Sequence, residues 1–153
     1  MGIRLAEDEA WRVIAAAHTG ILTTLRADGV PVTLPVWFVT SDRTVLIGAP
    51  SRTKKVARAR HDPRASFLVE SGQRWAELRA VHLTGRVEIV DDPATIDAAA
   101  SALDEKYAAF RTASEAMPTA TRAHYAGRTI LRFVPDARIL SWDNARLELG
   151  ASS

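Results

Sequence analysis

A chain of 153 residues, 47% hydrophobic and 25% charged, can bury a continuous core without metal or disulfide support and reads as one domain over 1–153. Its formal charge of only +2 argues against a nucleic-acid partner, and the absence of cysteine excludes a disulfide scaffold, a thiolate nucleophile and a Cys-ligated metal site. Arg4, Glu7, Asp8, Glu9 and Arg12 interrupt the first apolar stretch, so the sequence predicts no signal peptide, no membrane span and, by default, a cytoplasmic location.

Leu5, Trp11, Val13, Ile14 and Ala17 share one face of a helix expected to begin after Gly2 and to stop near Gly20, where glycine suits a left-handed cap. "GILTTLRADGVPVTLPVWFVT" reads as two strands, near 20–26 and 30–40, joined by Asp28-Gly29, a strong hairpin signal because glycine supplies positive φ at little steric cost. Pro31 and Pro35 lack a backbone donor, so the second strand needs an edge or a bulge. "TVLIGAP" is a third strand, and Ser51 is placed to cap a helix over 52–61 that ends before Pro63.

"RASFLVES" and "AELRAVHLTGRVEIV" are a fourth and a long fifth strand, the latter bending at Gly85. Asp91-Asp92-Pro93 opens a helix through about 111 with carboxylates at its positive end. Residues 113–128 carry no clear period, and "TILRFVPDARILSWD" is a sixth strand or a broken pair. Six strands with short connections and few helices predict an α+β fold: a six-stranded antiparallel sheet curled into a barrel, with a few flanking helices. There is no G-x-G-x-x-G and no G-x-x-x-x-G-K-[ST].

The segment "GAPSRTKKVARARHDPRAS", residues 48–66, concentrates Arg52, Lys54, Lys55, Arg58, Arg60 and Arg64 around a single acid, Asp62. Ser51 and Thr53 add hydroxyls and the helix start adds unpaired N–H groups, so this is a candidate phosphate cradle. The competing reading is a solvated helix whose inner face is Val56 and Ala59. Nucleic-acid contact is disfavoured because no aromatic residues interleave the cations.

In the order of these elements the chain resembles the flavin- and deazaflavin-binding split β-barrel family, also called pyridoxamine 5′-phosphate oxidase-like. The resemblance rests on "GILTTLRADGVP" with "PVWFV", on "SRTKKVARARHDPRASFLVE", on "ELRAVHLTGRVEIVDDP" and on "SWD". It implies an FMN-binding type of split barrel and a homodimer with each cofactor in a cleft between subunits. By the same resemblance Lys55 is the phosphate-binding lysine, with Arg52, Thr53, Ser51 and Lys54 in support. Thr33, Pro35, Val36 and Trp37 border the ring, with a plain core aromatic as the alternative for Trp37, and Trp75 and Trp142 are weaker candidates across the dimer.

Such a cofactor carries the hydride chemistry itself, in keeping with a chain that has no Ser-His-Asp order and no paired-carboxylate motif. His18, His61, His82 and His124 lack metal-ligand spacing, which predicts no metal site and leaves His82 alone as a possible proton donor or haem contact. No catalytic residue is assigned. "ELRAVHLTGRVEIV" with "SWD" resembles most the reductases that use the deazaflavin coenzyme factor 420. The resemblance therefore implies that the reduced deazaflavin, or FMN in its place, gives hydride to an unsaturated small-molecule acceptor. The alternative is an FMN- or haem-binding barrel that stores its cofactor without turnover.

Overall fold

The computed structural model describes residues 2–124 and 127–147. Its strands are β1 Gly20–Leu25, β2 Pro31–Val36, β3 Phe38–Ser41, β4 Thr44–Pro50, β5 Arg64–Ser71, β6 Arg79–Ile89 and β7 Arg128–Asp143. The helices are α1 Glu7–Ala16, α2 Lys54–His61, α3 Pro93–Tyr107 and the short α4 Thr119–His124. No helix among the described residues is long and apolar enough to cross a membrane.

The strands make one seven-stranded antiparallel sheet in the order β2-β1-β5-β6-β7-β4-β3, one strand more than expected. The extra strand comes from the stretch 30–40, which is two strands rather than one. Val36 pairs with Gly20 at one edge of the sheet, and Phe38 pairs with Ile47 at the other. Only Trp37 lies between them, and consecutive Cα atoms are about 3.8 Å apart, so the sheet has to curl until its two edges meet. The prolines fit this arrangement: β2 is an edge strand, where the missing N–H of Pro31 and Pro35 costs no ladder bond.

Local chemistry explains most turns. Gly29 adopts φ 83° in the β1–β2 hairpin, and the Asp28 carboxylate accepts the Val30 N–H at 3.1 Å. Asp42 and Arg43 both take positive φ in the β3–β4 turn, and Arg43 reaches the first-turn carboxylates Glu7 and Asp8 of α1. Asp92 caps α3 by accepting the Thr95 N–H at 2.9 Å. The β6–β7 ladder is bulged between Leu83 and Gly85. A side chain on Gly85 would collide with the Val134 carbonyl, and the bulge seats Pro135 opposite Gly85, so β7 runs as one strand instead of a broken pair.

Several expected boundaries shift. The first helix starts at Glu7 and ends at Ala16, and Gly20 does not cap it. Gly20 opens β1, where a Cβ would run into the Phe67 ring, so its glycine is required by packing. The second helix starts at Lys54, preceded by Thr53 rather than capped by Ser51.

Two apolar layers hold the sheet. Ile14, Phe38, Ile47, Phe67, Val81 and Phe133 belong to the barrel core, while α3 buries Ala99, Leu103 and Tyr107 on the outer side of β4 and β7 against Leu46 and Ile130. Tyr107 is fully buried. Its hydroxyl accepts the Phe38 N–H at 2.9 Å and donates to the His18 carbonyl at 2.8 Å, and its ring stacks on Trp37 at 4.3 Å, a contact worth about 1 kcal/mol beyond the area buried. Tyr107→Phe keeps the ring but leaves the buried Phe38 N–H without its acceptor. The expected loss is roughly 1–3 kcal/mol in urea unfolding, and an unchanged midpoint would show that the joint does not depend on the hydroxyl.

Candidate functional site

The crossing from β2 to β3 leaves a cleft of about 930 Å³, within the size range of small-molecule sites. Pro35, Val36 and Trp37 line it from the crossing; the end of β4 contributes Gly48, Ala49 and Pro50; Thr53 and Lys55 come from the start of α2. The stretch 110–128, which follows α3 and includes α4, supplies Phe110, Arg111, Met117 and His124, and β7 supplies Arg128. None of the described residues of 110–128 is buried, so this wall depends on α3 for its position.

The cleft is cationic. Lys55, Arg111 and Arg128 line it, and among the described residues no aspartate or glutamate does. Lys55 is half-buried and has no carboxylate partner among the described residues. Burial pushes its ammonium pKa below the ordinary 10.5, and the positive charge of Arg58 adds to the effect. Arg58 itself is occupied, its Nε donating to the buried Thr24 hydroxyl at 2.9 Å. Arg111 and Arg128 share the Asp104 carboxylate at 2.9 and 3.2 Å, and the Arg111 guanidinium stands 5.8 Å from the Trp37 ring. An aromatic group of His18, Trp37, Tyr107 and Phe110 adjoins these cations, with His18 edge-on to Phe110 at 4.5 Å.

Of the residues predicted from sequence, Pro35, Val36, Trp37, Thr53 and Lys55 meet in this cleft. Trp37 is both a wall of the cleft and an aromatic packed on Tyr107. Thr33, Ser51, Arg52, Lys54 and Trp75 are not among the lining residues. Thr33 shares a hydrogen bond with Thr23 across β1 and β2 at 2.9 Å. Ser51 accepts from the Thr129 hydroxyl at 3.0 Å, and the Thr53 hydroxyl donates to the Pro50 carbonyl at 3.0 Å. Arg52 and Lys54 point to solvent. Trp75 is 61% exposed in a single 3-10 turn between β5 and β6. His82 lies on the outer sheet face between Leu68 and Leu140 and does not line the cleft, so it is not placed to serve as a proton donor there.

Sequence reasoning missed Arg111, Arg128 and the wall over 110–128. The only available signal was two arginines flanking a stretch without hydrophobic period. Among the described residues no group of three or more histidines or carboxylates could hold a metal ion.

A family model described as pyridoxamine 5′-phosphate oxidase matches residues 6–139. No curated protein sequence matches the chain. Among solved structures, a conserved hypothetical protein from Mycobacterium tuberculosis is 30% identical, with 99% of this chain and 93% of that one covered and a TM-score of 0.81. A FAD-binding protein from Mesorhizobium loti is 21% identical, with 90% and 93% covered and a TM-score of 0.68. HutZ, a haem storage protein from Vibrio cholerae, is 12% identical, with 93% and 96% covered and a TM-score of 0.69.

A lysine whose folded pKa is depressed loses its charge at lower pH than usual, so anion affinity in the cleft falls as pH rises through that depressed value. The sign for stability is opposite: without a ligand the unfolded chain holds the proton more tightly, and Lys55 contributes a stability that increases with pH in the same window. FMN titrations between neutral and alkaline pH are expected to show this early loss of affinity, and Lys55→Arg is expected to abolish it. A pH profile identical in the arginine variant would detach the effect from Lys55.

Proposed function

The chain belongs to the pyridoxamine 5′-phosphate oxidase family, and from that premise we propose that it is a flavin- or deazaflavin-dependent oxidoreductase acting on an unsaturated small molecule. The observation that carries this reading is a half-buried Lys55 that, among the described residues, has no carboxylate partner and stands in a cleft lined by cations and aromatic surface without a carboxylate. Such a lining fits a planar ring bearing a phosphate: Lys55 and the free N–H groups at the start of α2 take the anion, and Pro35, Val36 and Trp37 border the ring. When bound, a reduced flavin or deazaflavin supplies a hydride to the acceptor. The protein's own contribution is to hold the ring against an apolar wall, neutralise its phosphate and restrict water. The factor 420 deazaflavin and FMN share these requirements.

The proposal includes a homodimer. Pro35, Ile21, Leu68, His82 and Leu140 stand directly opposite one another across β2, β1, β5, β6 and β7, forming one outward-facing row. Leu140 is 54% exposed, while α3 packs against β3, β4 and the first part of β7. The row begins at Pro35, which is also a cleft residue, so a second copy seated on it would border the cleft and bring its exposed Trp75 or its half-buried Trp142 toward the ligand.

A second reading, cofactor binding or storage without turnover, is supported by the likeness to a haem storage protein. The same titration separates the readings. Cofactor-free protein titrated with FMN, the factor 420 deazaflavin and haemin, followed by fluorescence or absorbance, is expected to bind a flavin or deazaflavin. Lys55→Ala should weaken that binding by about ten- to a hundredfold, the range for a lost charge-assisted hydrogen bond. Tight haemin binding with no turnover of a reduced flavin or deazaflavin across quinone and enone acceptors would favour storage. In sedimentation velocity the wild-type chain is expected to run as a dimer and Leu140→Arg as a monomer with weaker cofactor binding; a wild-type monomer at high concentration would refute the dimer.

A further inference from the structure

We propose that Arg111 and Arg128, held together on Asp104, form a second anion subsite in the cleft. It would take a phosphate or carboxylate group beyond the one bound by Lys55. The ligand's identity rests on the cofactor reading above; the subsite itself rests on the arrangement of charge.

Asp104 Oδ1 accepts from Arg111 at 2.9 Å and from both terminal nitrogens of Arg128 at 3.2 Å. One carboxylate cannot neutralise two guanidinium groups, so the trio carries a net positive charge. The two arginines line the cleft and Asp104 does not, so the uncompensated charge faces the ligand side. Each side chain is about one-third exposed, 38% for Arg111 and 34% for Arg128. Each also has guanidinium N–H donors not used by Asp104, in the fork geometry that suits carboxylate or phosphate.

The pair and Lys55 reach the cleft from different elements. Lys55 is in α2, Arg111 follows α3 beside the Trp37 ring, and Arg128 begins β7 opposite Pro50. Like charges gathered around one cavity repel, and an arrangement of this kind is relieved by a ligand with more than one anionic group. A ligand with a single phosphate, such as FMN, satisfies Lys55 and leaves the arginine pair uncompensated. A diphosphate such as FAD, or the polyanionic tail of the factor 420 deazaflavin, answers both. So does a singly phosphorylated cofactor accompanied by a carboxylate-bearing substrate.

Two further cations of the basic segment, Lys54 and Arg58, are close to Lys55 in sequence. Lys54 is outside the lining and Arg58 is tied to Thr24, so the cations that join Lys55 in the lining are Arg111 and Arg128.

The test is fluorescence titration of the full chain with FMN, FAD and the factor 420 deazaflavin, for the wild type and for Arg111→Gln, Arg128→Gln and Asp104→Asn. Each arginine variant is expected to weaken FAD or the deazaflavin by about tenfold and FMN by less than about twofold. Asp104→Asn frees both guanidinium groups and is expected to tighten the polyanionic ligands by about threefold, a change in the direction a folding defect cannot produce. If the second anion belongs to the substrate, cofactor affinities stay level. Fumarate binding to the FMN-loaded protein then weakens in the arginine variants and tightens in Asp104→Asn. Equal weakening of FMN and the larger ligands, or no response in either arm, overturns the subsite. Should the wild type bind no cofactor at all, the cofactor reading fails; the subsite then stands only if calorimetry shows pyrophosphate binding that is lost in both arginine variants.

Discussion

The last turn of α3 grips the chain where it passes from one edge of the sheet to the other, and most of the architecture follows from that grip. Lys106 donates to the carbonyls of Ala17 and Phe38 at 2.9 Å each and lies 3.9 Å from the Phe38 ring centroid, while Tyr107 bonds to the backbone of His18 and Phe38. These carbonyls and the Phe38 N–H sit where the curling of the sheet interrupts regular pairing, and buried backbone groups left without partners are costly. A lysine and a tyrosine from one helix supply those partners. The Lys106 ammonium is held by carbonyl oxygens and a ring face, with no carboxylate partner among the described residues, and burial lowers its pKa. The entry to β1 and the entry to β3 are thereby fixed against the same helix.

The cleft is a by-product of this joint. Where β2 gives way to β3, Trp37 belongs to neither strand; one face of its ring is taken by Tyr107 and the ring also borders the cavity. The turn leaving α3 then carries Phe110 and Arg111 to the same place. The residue that lets the barrel change edges thus also shapes the proposed ligand wall, and the helix that seals the joint orders the arginine side of that wall. Charge follows the same logic. Asp28, Asp62 and Asp92 serve turns, caps and surface pairs, and among the described residues of the cleft lining the cations stand without an acidic residue.

The two sides of the sheet are also treated differently. On the β3-β4-β7 half, α3 forms a second apolar layer with Leu46 and Ile130. Along the row from Pro35 to Leu140 the outer face sets apolar side chains on either side of His82 and remains partly open. The bulge at Gly85 allows one long β7 to serve both halves, since its beginning pairs with β4 and its end with β6 alone.

Signals confined to a few neighbouring residues were legible. Asp28-Gly29 specified a hairpin, Asp92-Pro93 a helix start, and Pro31 and Pro35 an edge strand, because each acts through its own φ, its missing donor or a bond two or three residues away. The α+β class followed from strand-length apolar runs, and the basic turn with Lys55 was visible as a cluster of charge. Tertiary packing decided the rest. Gly20 is glycine because of the Phe67 ring, the stretch 30–40 divides at Trp37 because the two edges of the sheet meet there, and Ser51 turns to Thr129 instead of capping α2. Arg111 and Arg128 come together only through Asp104. No local period or motif encodes such partners, since they are separated along the chain and share a site only after the barrel has closed.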